Sequence, residues 1–237
     1  YTAYSHNKRD THSYVSVVSW VVRHNDVLLS VEQRSILQTW DTVSVWEKSV
    51  GHIEWGDGSL TRLGENTKIT IEQNSISKDY TKIQISFELL AGKTWSTVVS
   101  FLGKDSSFTQ SFQGMEAGVR GTIFDVDLDA DYLNVSSHLV TLTDTSGNEI
   151  LVEEGKPIRL STLSLIELQE FLKNIQDTAW IELNETYDRA YFETLKASLK
   201  QSFLESPWIL LLLDFISPKY RIIHELNTSE SYEAIEI

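Results

Sequence analysis

The chain contains no cysteine, which excludes disulfides, thiolate zinc sites and a cysteine nucleophile while leaving the compartment open on that count. Positive charge is scarce: 20 Lys and Arg stand against 34 Asp and Glu, a formal net charge of -14. Such a balance argues against unspecific attachment to nucleic acid or an anionic membrane, since both need Lys and Arg gathered on one face. Long apolar runs are also missing. The longest, Trp208–Leu213, is far short of the roughly 20 residues that span a bilayer, so no membrane insertion of this chain is expected. Tyr1 is preceded by no initiator Met and followed by no apolar leader, which leads us to expect an excised ectodomain, a mature product or a recombinant fragment. Proline is rare, at three residues, while 41% of the chain is hydrophobic, so a globular chain with a substantial core is expected rather than a disordered or fibrous one.

From Tyr14 to Ile158 the chain is a succession of short β-rich runs, among them YVSVVSWVV, DTVSVW, TKITIEQ, KIQISFELL, TIFDVDL, HLVTLTD and EILVEE. Apolar and polar residues alternate clearly over Thr67–Glu72 and Lys82–Phe87, predicting one face toward a core and one toward water. Turn residues separate the runs at NDV, WGDGS, AGK, LGKDSS and DTSGNE, and the last two read as hairpin connections. About ten strands without helical periodicity predict a mainly β protein, an antiparallel sandwich, roll or barrel. After Pro157 the period changes. Thr162 or Ser164 is positioned to cap a helix carrying Leu165, Ile166, Leu168, Phe171, Leu172 and Ile175, and a second helix is predicted over 185–205 with Tyr187, Ala190, Tyr191, Leu195 and Leu199 on one face. A buried segment from Trp208, a final strand KYRIIHEL and a loosely held acidic tail complete the chain. The organisation expected is a β domain over 14–160 and a mainly helical appendage over 161–237.

Three stretches invite a chemical reading. Asp125, Asp127, Asp129 and Asp131 alternate as in a calcium loop, but Ala130 stands where that loop needs Gly and Ser136 where it needs a bidentate Glu, so a solvated strand face is expected instead. Gly118 and Gly121 flank Arg120 like a phosphate cradle, yet the spacing fits no phosphate-binding motif and TIFDVDL after it reads as a strand rather than a helix. Arg120 is therefore expected to be structural, and no metal or cofactor is expected. Gly51, His52 and Glu54 in GHIEWGDGS resemble the start of the Nudix phosphohydrolase motif, which requires a glutamate-bearing helix where this chain has ENTKITIEQ. The six histidines include no pair at the spacing of a zinc helix, and no G-x-S-x-G elbow appears, so His24, His52, His138 and His224 are expected in surface or core roles.

Three blocks in order resemble the FecR family of extracytoplasmic sensor domains. VGHIEWGDGSLTRLGENTKITI is similar to its D-G-S block, with Asp57, Gly58 and Ser59 in the turn and Leu63, Asn66, Ile69 and Ile71 after it. FELLAGKTWSTVV is similar to its G-containing strand pair. AGVRGTIFDVD, with Gly118, Arg120, Gly121 and Thr122, follows the family's AGVRGT-x-F-x-V block, and VTLTDTSGNEILVEEGKPI resembles its closing hairpin. The resemblance covers about Tyr14 to Ile158. It implies an all-β domain outside the cytoplasmic membrane, in several members part of an anti-sigma regulator that passes a signal inward by protein contacts, with no enzyme activity and no cofactor.

Departures from the family pattern concentrate in the N-terminal half, where Ser19-Trp20-Val21 and the run Thr39–Trp46 replace small turn residues, and SFQGME stands before AGVRGT. Either the core is packed differently, or the large residues form an exposed recognition surface, natural or engineered. That surface would comprise Trp20, Arg23, His24, Arg34, Trp40, Trp46, Phe112 and Met115, since Trp, Arg and Met are enriched in binding hot spots. The functional expectation is a non-enzymatic, periplasmic or cell-surface domain that transduces signals through a protein partner. The alternatives are a binding module on the same fold without a signalling role and a degenerate Nudix-like hydrolase.

Overall fold

The structure is a computed structural model that describes residues 11–19, 21–77, 81–99, 105–167, 170–171 and 178–203. Two compact units divide at Ile175 and Gln176. In the first unit the described residues form two nine-stranded sheets. The first sheet runs, edge to edge, β18 (Ser164–Leu165), β17 (Ile158–Arg159), β14 (Tyr132–Ser137), β13 (Ile123–Asp127), β10 (Lys93–Thr97), β7 (Leu60–Leu63), β6 (Val50–Glu54), β1 (Ser13–Ser19) and β4 (Arg34–Leu37). The second runs β16 (Glu149–Glu153), β15 (Leu139–Thr143), β12 (Met115–Val119), β11 (Ser107–Phe112), β9 (Ile83–Ala91), β8 (Lys68–Ile76), β5 (Thr42–Val45), β2 (Val21–His24) and β3 (Val27–Ser30). The mainly β sandwich expected from the sequence is what forms.

The strand count exceeds the sequence reading because single apolar runs divide between the sheets. YVSVVSWVV supplies β1 to one sheet and β2 to the other, with a register shift between Val17 and Ser19. The LGKDSS hairpin is corrected: β10 and β11 lie in different sheets, and β11 instead pairs in parallel with β9. A sheet-to-sheet crossing and a tight hairpin both require turn residues, so composition does not separate them. DTSGNE does close the β15–β16 hairpin, with the Asp144 carbonyl accepting from the Gly147 N–H at 3.0 Å.

The strands bury alternate residues between the sheets, Ile69 and Ile71 of β8 meeting the same core as Phe124 and Val126 of β13. At its centre Trp55 stacks on Phe87 at 5.6 Å, and Phe108 meets both rings edge-on. Each such ring contributes roughly 1.5–3 kcal/mol by leaving water. Polar ties also run through this interior: Gln110 of β11 donates through Nε2 to Thr94 Oγ1 of β10 at 2.8 Å, joining the two sheets, and Trp55 Nε1 donates to Thr61 Oγ1 at 2.9 Å. Gly92, between β9 and β10, has φ +78 and lies so close to Thr67 that a Cβ would come within 2.6 Å of its Cα. A side chain there would be strained and obstructed together.

The two sheets differ on their other faces. On β9 the alternation holds, with Gln84, Ser86 and Glu88 half-exposed. In the first sheet β7, β13 and all of β10 but Lys93 are buried residue by residue, so the cross-strand row Arg62, Trp95, Asp125 and Asn134 is withdrawn from water as well, with His52 half-buried at its end.

The helix expected from Thr162 or Ser164 is corrected at its start. Ser164 and Leu165 pair with Arg159 and Ile158 as the sheet's last strand, because backbone pairing at an open edge competes with capping. In the second unit α1 covers Thr178–Phe203, beginning earlier than predicted. Its buried stripe follows Trp180, Asn184 and Asp188 at i, i+4 spacing, and of the predicted face Tyr187 and Tyr191 are half-buried while Ala190 is exposed. The predicted segment from Trp208, the final strand, the acidic tail and Leu168, Leu172 and Ile175 lie outside the described residues.

Candidate protein-contact surface

The residues proposed from sequence as one surface separate into several places. Arg23 on β2 and Trp46 after β5 meet on the outer face of the second sheet, with the guanidinium 5.6 Å from the indole centroid. Arg34 on β4 lies over the Tyr14 ring at 3.8 Å on the outer face of the first sheet. Trp40 stands at the rim between them, 75% exposed, and Trp46 is 50% exposed. Phe112 is corrected outright: it is fully buried in the core, because it faces inward on β11. Met115, its cross-strand partner, packs partly against that core. Phe112 lies four and Met115 five strand spacings from β2, roughly 19 and 24 Å across the sheet, so neither belongs with Arg23 and Trp46. Trp20 lies outside the described residues.

Trp40 is held where it is by the backbone around it. Its N–H donates to the Ile71 carbonyl at 2.7 Å, and the Ile71 N–H donates to the Asp41 carbonyl at 2.8 Å, pinning the turn to β8. The price is a left-handed backbone at Trp40, φ +73, which costs an L-residue about 1–2 kcal/mol. An exposed indole on a turn fixed in advance loses little freedom on binding, which favours it as a contact anchor. His24 is not on that surface. It is buried, with Nδ1 2.9 Å from Ser35 Oγ and Nε2 2.8 Å from Asp41 Oδ2. Sequence reading missed Ser35 and Asp41, since the three residues come from two sheets and a turn and share no motif spacing.

The D-G-S turn joins β6 to β7. Asp57 accepts from the Ser59 N–H at 2.9 Å and from Ser59 Oγ at 2.7 Å, while Gly58 takes φ +91 and the Val99 N–H donates to Ser59 Oγ at 3.1 Å. Burial pushes the Asp57 carboxyl up to about 6 despite these hydrogen bonds. Nearby on β6, burial and the Arg62 guanidinium push His52 down to about 3, so its imidazole is neutral, and Nε2 has no hydrogen-bond partner among the described residues. Residues 68–76, where the Nudix alternative needs a glutamate-bearing helix, form β8.

At the AGVRGT block, Gly121 adopts φ +65 and Thr122 is buried, donating through Oγ1 to the Leu139 carbonyl at 2.9 Å. Gly118 is different. It lies in β12, and a Cβ there would meet the Thr141 carbonyl only at 3.8 Å, so neither conformation nor space demands glycine. Arg120 is exposed beside it. The solvated face expected for the aspartates beyond is corrected at Asp125 and Asp127, whereas Asp129 is exposed. Asp125 is buried and accepts from Asn134 Nδ2 at 2.8 Å; Asp127 is buried, its carboxyl raised chiefly by burial, and accepts the N–H groups of Asp129 and Ala130. Asp131 closes the turn with φ +60 and accepts from Ser161 Oγ at 2.6 Å. Alternation ends because β13 ends at Asp127, and each of these three carboxylates is occupied by a different partner.

No curated protein matches the chain in sequence. Two crystal structures of a candidate anti-sigma factor from Parabacteroides distasonis ATCC 8503, at 2.50 and 1.65 Å resolution, are similar to it at 13% identity with TM-scores of 0.41 and 0.39. The alignments cover 53% of this chain and 57% of the other, so the chain spans little more than half the length of those structures. The family model described as FecR protein matches residues 41–138, a range that runs from the Trp40–Asp41 turn through the D-G-S and AGVRGT blocks to the end of β14. The β unit is therefore similar to the FecR family over residues 41–138.

Proposed function

We propose that this chain is a FecR-type domain that works outside the cytoplasmic membrane, taking part in signal transduction by contact with a protein partner, a role that itself requires no catalysis. The observation that carries this reading is the FecR match over residues 41–138, in which the D-G-S and AGVRGT blocks serve as turns and sheet ties rather than as a ligand site. The contact surface we assign is the rim carrying Trp40 together with the Arg23–Trp46 pair, which presents aromatic and guanidinium groups suited to a desolvated protein interface. The chain's negative charge favours a partner whose facing surface is neutral or basic.

The test is affinity capture of envelope proteins from the source cell on the immobilised chain, with Trp40→Ser/Trp46→Ser in parallel. A partner retained by the wild type and lost from a double variant of unchanged Tm supports the reading. Equal retention by both overturns the surface assignment. Magnesium-dependent pyrophosphatase turnover that disappears in Glu54→Gln overturns the reading in favour of the Nudix-like alternative.

A further inference from the structure

At the open edge of the sandwich, where β2 of one sheet comes beside β4 of the other, three polar side chains lie in line. Ser35 of β4 places its hydroxyl 2.9 Å from His24 Nδ1, and Asp41 Oδ2 lies 2.8 Å from His24 Nε2. One tautomer satisfies both contacts: the proton on Nε2 is donated to Asp41, and Nδ1 is left as the acceptor facing the serine. The carboxylate cannot turn away, because Oδ2 also accepts the Gln38 N–H at 2.7 Å and Oδ1 accepts from Asn25 Nδ2 at 2.7 Å. Burial works to raise the Asp41 carboxyl, but the hydrogen bonds from Asn25, Gln38 and His24 together hold it below the usual carboxylate range. A hydroxyl, a base and a group that orients the base are the elements that activate a serine.

The surroundings supply what else acyl chemistry needs. Among the described residues β4 ends its sheet and pairs only with β1, through Val15↔Ser35 and Tyr14↔Ile36. N–H groups along an antiparallel strand alternate between its two sides, so one of the adjacent N–H groups of Ser35 and Ile36 points to the open edge, where it can receive a developing oxyanion. His24 is buried, but Ser35 is only half-buried and open to approach. Val27, the cross-strand partner of His24, is 60% exposed, and Trp40, next to Asp41 in the chain, is 75% exposed, so apolar groups adjoin both the base and the carboxylate. Both His24 and Asp41 adjoin residues in left-handed backbone, Asn25 at φ 51 and Trp40 at φ 73, the kind of local strain that concentrates at functional sites.

The geometry points to a second capability of this chain: Ser35 is an activated nucleophile that accepts the acyl group of a small uncharged ester, with His24 as general base and Asp41 as the residue that positions it. Ser35 Oγ bonds to the ester carbonyl carbon as its proton passes to His24 Nδ1. The ester C–O bond then breaks, and the leaving alcohol takes that proton. Water repeats the two transfers on the acyl-serine, releasing the acid and restoring the hydroxyl, so no further reactant is consumed. This goes beyond the protein-contact role and stands independently of it.

A fluorophosphonate probe on the full chain, mapped by peptide mass, together with hydrolysis of p-nitrophenyl acetate, tests it. The expected result is one adduct on Ser35 and ester turnover that vanishes in Ser35→Ala. In His24→Gln, labelling is expected to slow about 100-fold, the loss typical of a general base. Asp41→Asn is expected to lower the limiting labelling rate but not the half-saturating probe concentration, a split that a merely structural carboxylate would not produce. A folded wild type without an adduct on Ser35, ester turnover surviving in Ser35→Ala, or undiminished labelling in His24→Gln would each overturn the proposal. Should His24→Gln fail to fold, the wild-type adduct map and Ser35→Ala decide the matter alone.

Discussion

Four of the chain's tryptophans divide into opposite pairs. Trp55 and Trp95 are 2% and 1% exposed, whereas Trp46 and Trp40 are 50% and 75% exposed. The buried pair belongs to the middle of the first sheet: Trp95 lies within β10, and Trp55 directly follows β6 to stack on Phe87. The exposed pair flanks β5 near the sandwich edge, where among the described residues no further strand of the second sheet follows β3. One residue type thus serves cohesion in one region and display in the other, and position in the sheet order rather than hydrophobicity decides which.

Removing an aromatic from the centre should have the largest effect. Phe87→Ala empties a fully buried site and is expected to cost about 3–5 kcal/mol, read as a lower urea midpoint at unchanged slope. Next comes the D-G-S turn. Asp57 titrates near 6 in the fold against an ordinary value of 3.8, so the folded chain binds the proton more tightly. Its contribution to stability is full below about pH 4 and is lost as pH rises through 6, amounting to at most about 3 kcal/mol. Tm of the wild type should therefore rise on acidification from pH 7 to pH 5 relative to Asp57→Asn, and a parallel pH dependence in the two proteins would refute the assignment. Glycine substitutions in the AGVRGT block should differ in sign. Gly121→Ala, at φ +65, is expected to destabilise by about 1–2 kcal/mol, while Gly118→Ala, in ordinary strand conformation with room for a Cβ, should stabilise by up to about 1 kcal/mol.

Much of this architecture was legible in the sequence. Strict alternation in TKITIEQ and KIQISFELL located β8 and β9, because a strand with one wet face writes its period directly into the chain. The D-G-S and AGVRGT blocks, which resemble the FecR pattern, both lie within the matched residues 41–138. The burial of Arg62, Asp125 and Asn134 was not legible, since strands buried on both faces lose the alternation that marks an outer surface. Nor was the separation of Phe112 from Trp46, as both stand in similar mixtures of aromatic and hydroxyl residues and only the inward phase of β11 tells them apart. The alignment of Ser35, His24 and Asp41 depends on β2 and β4 meeting from different sheets, which no local pattern encodes.

The smallest expected change in stability carries the most functional weight. Trp40→Ser/Trp46→Ser should leave the unfolding free energy within about 0.5 kcal/mol of the wild type, because both indoles are displayed to solvent. Measuring Tm and retention of the protein partner on the same double-variant sample tests the central claim most directly. An unchanged Tm with the partner lost is the predicted result. A large drop in Tm, or a partner held as firmly as by the wild type, would contradict the assignment of this rim to recognition.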